Sequence, residues 1–243
     1  MEIELISSGI KEIDELLGGG IVNNGILLID YGKLSIGWTL GLKIFKHIIK
    51  NGGFGVILNT TIPISKLKLR ANYVWLDIEK EGNAGNLIVI DLFGSKYKLP
   101  NHEPYVYQVK SWDNEIGLQK LGKLMGKIYA NMVPKDRVVV SLIATMEGMY
   151  YNFGERFTNA LIQGTLKGSE LGLAKKHKTV QMLLLNRDAV DRKFETLLTI
   201  LSDQVIMVDR EPAKERLVEV ITVPKSTIPG FIPKVKSHKI KEL

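Results

Sequence analysis

Six apolar runs of strand length, spaced by segments with helical periodicity, restrict this chain to one broad class of architecture. They are "GILLID" (25–30), "GVILN" (55–59), "NLIVIDLF" (86–93), "RVVVSLI" (137–143), "TVQMLLLN" (179–186) and "DQVIMV" (203–208). Each is nearly continuous in hydrophobicity rather than alternating, the pattern of strands buried on both faces of a mostly parallel sheet. Between them, "WTLGLKIFKHIIKNGG" puts Leu40, Ile44 and Ile48 on one helical face and stops at glycines. "DNEIGLQKLGKLMGKIYANM" and "GERFTNALIQGTLKGSELG" supply two more helices. Strand–helix alternation implies right-handed crossovers and an open α/β sheet with helices on both faces. The C-terminal stretch turns β-branched and proline-punctuated, which predicts an antiparallel edge hairpin and a basic tail at about 233–243. The expectation is one domain over 1–243.

Composition narrows the chemistry. With 45% hydrophobic and 24% charged residues, the chain can bury a sizeable core. The absence of cysteine excludes disulfides, thiol catalysis and cysteine-ligated metals. His47, His102, His177 and His238 lie far apart, without metal-ligand spacing. No apolar run approaches the roughly 20 residues of a membrane span, and "MEIELISSG" lacks a signal-peptide pattern. A cytoplasmic location and no membrane partner are expected. The net charge of +7 fits either a polyanionic partner, nucleic acid first, or an ordinary lysine-rich solvated surface.

The stretch "GILLIDYGKLSIGWTLGLKIF" (25–45) has the strand, glycine-bounded loop and helix of a phosphate-binding P-loop. In such loops backbone N–H groups and the helix N-terminus cradle phosphates, while a lysine neutralises charge. Gly32 and Gly37 bracket the loop at the required spacing, and Thr39 holds the Mg²⁺-binding hydroxyl position. Trp38 stands in place of the lysine. Its indole brings one neutral donor and no charge.

Ahead of that stretch, "SGIKEIDELLGGGI" (8–21) resembles the entry motif of the KaiC-like and archaeal RadA-paralogue branch of the RecA superfamily. The resemblance covers essentially the whole chain. It implies a three-layer RecA-like, P-loop NTPase fold, with a mostly parallel central sheet and a C-terminal antiparallel edge hairpin. It also implies an ATPase apparatus that can be checked residue by residue. Trp38 replaces the lysine. Ser141 stands where the family has the metal-shell aspartate, and a neutral hydroxyl serves a hard dication poorly. Thr60, Thr61, Ile62 and Pro63 occupy the place of the water-orienting glutamate, and none is a general base near neutral pH. Thr222 and Pro224 fall where the family extends a K-x-R pair onto a neighbouring subunit, with Lys225 displaced by one.

Phosphoryl transfer rests on positioning and charge neutralisation, so the expectation is a pseudo-ATPase whose ATP and Mg²⁺ binding is lost or weak. Lys33 is the competing consideration. It sits where deviant P-loops carry a second lysine and would support residual nucleotide binding. For Trp38 two readings stand: stacking on a base or partner, or plugging the vacated phosphate pocket.

The resemblance further implies subunit stacking. The chain would be a scaffold or regulator, with itself or with an active RecA-like paralogue, in a setting such as DNA recombination or repair. The alternative is ATP-independent binding of single-stranded DNA through loops at 144–157 and 186–195. These offer Tyr150, Tyr151, Phe153 and Arg156, then Arg187, Arg192 and Lys193, with "AKKHK" (174–178) adding basic surface.

Overall fold

The computed structural model describes residues 3–113, 116–170, 177–213 and 216–239. After a short strand β1 (Leu5–Ile6), helix α1 (Lys11–Leu17) and strand β2 (Ile21–Val22) complete the entry motif. The P-loop-like unit follows as β3 (Gly25–Tyr31) and α2 (Trp38–Lys50). Next come β4 (Phe54–Asn59), α3 (Ile64–Asn72), α4 (Ile78–Asn83), β5 (Leu87–Asp91), α5 (Leu92–Tyr97) and β6 (Val106–Tyr107). The remainder is α6 (Gly117–Asn131), β7 (Val139–Ile143), α7 (Met146–Glu170), β8 (Thr179–Asn186), α8 (Arg192–Leu201), β9 (Gln204–Ala213), β10 (Arg216–Ser226) and β11 (Lys234–Lys239).

The main sheet has nine strands in the order β11-β10-β9-β3-β8-β7-β4-β5-β6. Pairings from β9 to β6 are parallel; β9–β10 and β10–β11 are antiparallel. The mostly parallel sheet with an antiparallel C-terminal edge is therefore present as expected. One expectation changes. Residues 234–239 do not form a free basic tail but pair with β10 as the outermost strand, and 240–243 lie outside the described residues.

Two apolar clusters cover the two faces of the sheet. Leu40, Ile44, Phe45, Leu67 and Leu76 bring α2, α3 and the turn after it onto one face. Leu121, Ile128, Met149, Leu161, Phe194 and Leu198 bring α6, α7 and α8 onto the other. At Gly41 an added Cβ would lie 2.4 Å from Leu184 Cδ2, so the missing side chain sets how closely α2 approaches β8. Gly18, Gly19 and Gly20 all have positive φ (96°, 127° and 147°), which explains the glycine run of the entry motif: the chain must reverse from α1 into β2. Buried Gln204 locks that reversal. It accepts from Val22 N–H at 2.9 Å and donates to the Gly20 carbonyl at 3.0 Å.

Candidate functional site

The loop Gly32–Gly37 leaves the carboxyl end of β3, between β8 and β9, where open α/β sheets place ligands. Five of its six backbone N–H groups, all but that of Leu34, are already engaged. Gly32 N–H donates to the Val208 carbonyl at 3.1 Å, and Ser35 N–H donates to the Gly32 carbonyl at 2.9 Å. Lys33 N–H donates to Asp188 Oδ2 at 2.7 Å, and Ile36 N–H donates to Glu219 Oε1 at 3.3 Å. The Ser35 hydroxyl donates to Glu219 Oε2 at 2.6 Å and accepts from Gly37 N–H at 2.9 Å. Two carboxylates of the chain itself thus take amides that a P-loop would aim at phosphate oxygens.

Glu219 is fully buried on β10, and a buried charge needs a partner. Arg210, its register partner on β9, supplies one through Nε at 2.7 Å and Nη2 at 2.6 Å. Gly37 is pressed down onto the sheet: an added Cβ would sit 2.7 Å from Tyr31 Cβ and 2.9 Å from Val208 Cβ. The loop lies collapsed on β3 and β9, held by Glu219.

The other expected positions can be placed in turn. Trp38 begins α2, packs half-buried on the α2-side core and tilts against Tyr73 at a centroid distance of 5.4 Å. The side chain bonded into the loop is that of Glu219, not the indole. Buried Thr39 turns its hydroxyl back onto the Ile36 carbonyl at 2.7 Å. Lys33 has an exposed side chain that makes no ion pair among the described residues.

Ser141 is mid-strand. It pairs with Gln181, level with Ile26, whereas the loop begins after Tyr31. That places it roughly 17 Å below the loop at 3.3 Å per residue. Its same-parity neighbours Val139 and Ile143 belong to the opposite face from α2. The strand instead exits at Ala144–Thr145, where the Thr145 hydroxyl meets those of Thr60 and Thr61 from the end of β4. Beside them, burial pushes the Glu147 carboxyl above its ordinary range, and Glu147 accepts from Asn186 N–H at 3.2 Å. Thr222 precedes a bulge in the β9–β10 pairing, and Lys225 beyond it donates to the Thr199 and Ile200 carbonyls at 2.9 Å each. It caps α8 of its own chain.

The residues expected to contact DNA are dispersed. Residues from Met146 are helical, not a loop, because Met146 and Met149 are drawn fully into the core; the helix is interrupted at Gly154 (φ 83°). Tyr150 packs on Phe194 at 4.6 Å and Phe153 on Trp112 at 5.2 Å. Tyr151 is exposed, with its hydroxyl donating to the Ala189 carbonyl. Arg187 turns inward to Asp209 at 2.7 Å and Asp30 at 3.6 Å. Arg156, Arg192 and Lys193 remain exposed on α7 and α8. Of "AKKHK", residues 174–176 lie outside the described residues.

Asp30 itself is buried, and desolvation raises its carboxyl to about pKa 7; Arg187 lowers it, while Glu195, Asp209 and Asp188 push it further up. Among the described residues no group of three or more His, Asp or Glu could hold a metal ion, and no helix is long and apolar enough to cross a membrane.

No protein-family model matches the chain, and no curated protein matches it either. Solved structures do. An uncharacterized protein from Pyrococcus horikoshii, in complex with an unknown peptide, matches with a TM-score of 0.77 at 17% identity, over 96% of this chain and 99% of that one. A KaiC-like protein from Pyrococcus horikoshii OT3 matches with a TM-score of 0.69 at 15% identity, over 99% and 97%. This chain has a RecA-like fold. The flagellar accessory protein FlaH from Methanocaldococcus jannaschii shares the RecA-like fold with a TM-score of 0.68 at 16% identity, over 98% of this chain and 95% of that one.

Sequence reasoning missed Glu219, Arg210 and Asp188. A signal for Glu219 was present in "RLVEVITV": one carboxylate enclosed by apolar residues in a strand must find a buried partner. Nothing local pointed to Asp188, which reaches Lys33 across 155 residues of sequence.

Proposed function

We propose that this RecA-like domain is a pseudo-ATPase that acts by protein contact, as scaffold or regulator of itself or of an active RecA-like partner. The observation that carries this reading is the loop bonded to Glu219 and Asp188. A triphosphate would have to displace two carboxylates and then sit beside them. Arg210 offsets the Glu219 charge, so the obstacle there is the loss of its hydrogen bonds to Ser35 and Ile36, while exposed Asp188 adds a solvent-screened repulsion. Trp38, Thr60, Thr61 and Thr145 add no compensating cation, metal ligand or base. The fold itself remains complete around this loop, as expected if its surfaces are what the chain uses. One solved neighbour was captured with a peptide, which fits a role in holding other chains. The inward turn of Arg187 and the packing of Tyr150 favour this reading over a DNA groove, while Tyr151, Arg156, Arg192 and Lys193 stay exposed.

Calorimetry with MgATP and a phosphate-release assay test the proposal. The expected result is no heat of binding at micromolar nucleotide and no turnover. Saturable MgATP binding accompanied by phosphate release would refute it.

A further inference from the structure

On the face of α2 turned away from the sheet, Thr39, Lys43, Lys46, His47 and Lys50 form one helical stripe. They line a half-open cavity of about 520 Å³ together with Ile36, Ser8–Ile10 and Tyr73–Trp75. No Asp or Glu is among its lining residues. Lys50 is neutralised by Glu81, and Lys46 Nζ donates to the Val74 carbonyl at 2.8 Å. Lys43 makes no hydrogen bond or ion pair among the described residues, and burial together with Lys46 disfavours its ammonium.

At the rim stands Trp75, 86% exposed, with φ 59°. Here the chain leaves α3 by a Schellman turn, with Leu76 N–H on the Ala71 carbonyl and Trp75 N–H on that of Asn72, both at 3.0 Å. The left-handed position of that turn normally belongs to glycine. A bulky residue there is an outlier, and it holds the indole out in solvent. Tyr73 and Leu69 continue the exposed apolar strip along α3, 60% and 64% exposed.

We propose that this basic cavity and its aromatic rim form a docking site for an acidic peptide segment of a partner protein. Carboxylates would enter toward Lys43, Lys46 and His47, and an apolar side chain would lie against Trp75 and Tyr73. Charge complementarity selects an acidic segment, and the apolar strip running beyond the cavity selects a chain over a small anion. Tryptophan and tyrosine are enriched among interface hot spots. The residues that would hold the peptide lie along the outer side of α2 and at the turn after α3, while the near end of the cavity reaches Ile36 of the loop and Thr39.

The probe is a fluorescein-labelled peptide with a central Leu-Phe pair flanked by glutamates, read by anisotropy against its counterpart carrying glutamine for every glutamate. The acidic peptide is expected to bind. Affinity should fall about tenfold or more in Lys43→Gln/Lys46→Gln and in Trp75→Gly. Trp75→Gly suits the turn and should fold at least as stably as the parent. Lys123→Gln/Lys127→Gln removes the same charge from α6, on the opposite face of the sheet, and should bind like the parent. Equal loss in that control, equal binding of the glutamine peptide, or no binding of the acidic peptide would each overturn the proposal. So would a self-association of the chain that Trp75→Gly abolishes, since the occupant would then be a second copy.

Discussion

Asp30 is a residue whose burial changes its acidity without a ligand being present. The Arg187 guanidinium lies 3.6 Å away, too far for a hydrogen bond, so it offsets only part of the desolvation. In the folded protein Asp30 keeps its proton up to about pH 7, whereas in the unfolded chain it loses it near 3.8. Between those values the folded state binds more protons, so stability must fall as pH rises through the window. Asp30→Asn removes the titration. Thermal unfolding from pH 4 to 8 should show a flatter dependence in the variant, with a gain over the parent at pH 8 on the order of a few kcal/mol. Parallel curves would show that Asp30 is ionised throughout.

At the scale of elements, Lys225 shows how one displaced residue takes up a different task. It stands beyond the bulge in β10, and its ammonium meets the carbonyls that end α8. A cation there also complements the helix dipole. Lys225→Met should therefore cost about 0.5–1 kcal/mol in urea unfolding and leave self-association unchanged. A change in oligomer size without a change in stability would restore Lys225 as an arm reaching a neighbour. The elements were legible to different degrees for identifiable reasons. β8 at 179–186 was bounded by its apolar run, and α2 by its periodicity and terminal glycines. The opening of α7 was not, because Met146 and Met149 are buried by partners on other elements while the local sequence looks like an aromatic loop. Ser141 was misplaced because apolar residues run on past it to Ile143, and only the pairing of β7 with β8 reveals where the strand ends.

For the molecule as a whole, the loop's condition depends on strands from both ends of the chain: β3 presents it, and β9 and β10 supply Arg210 and Glu219. Restoring one residue should not restore a site held shut from elsewhere. Trp38→Lys returns the standard cation, yet calorimetry should still detect no MgATP binding. Partial loss of the indole's burial should lower stability by about 1–2 kcal/mol. Tight binding by that variant would mean that Glu219 yields readily and that lysine alone had been lacking.

The embrace of Ser35 and Ile36 by Glu219 has a consequence for time as well as for affinity. Nucleotide-binding switches change shape as the phosphates that hold their loops come and go. On the function proposed above, a cradle kept filled by the Glu219 side chain would have a single condition, independent of nucleotide. In a ring of cycling copies such a subunit would be the one that stays still.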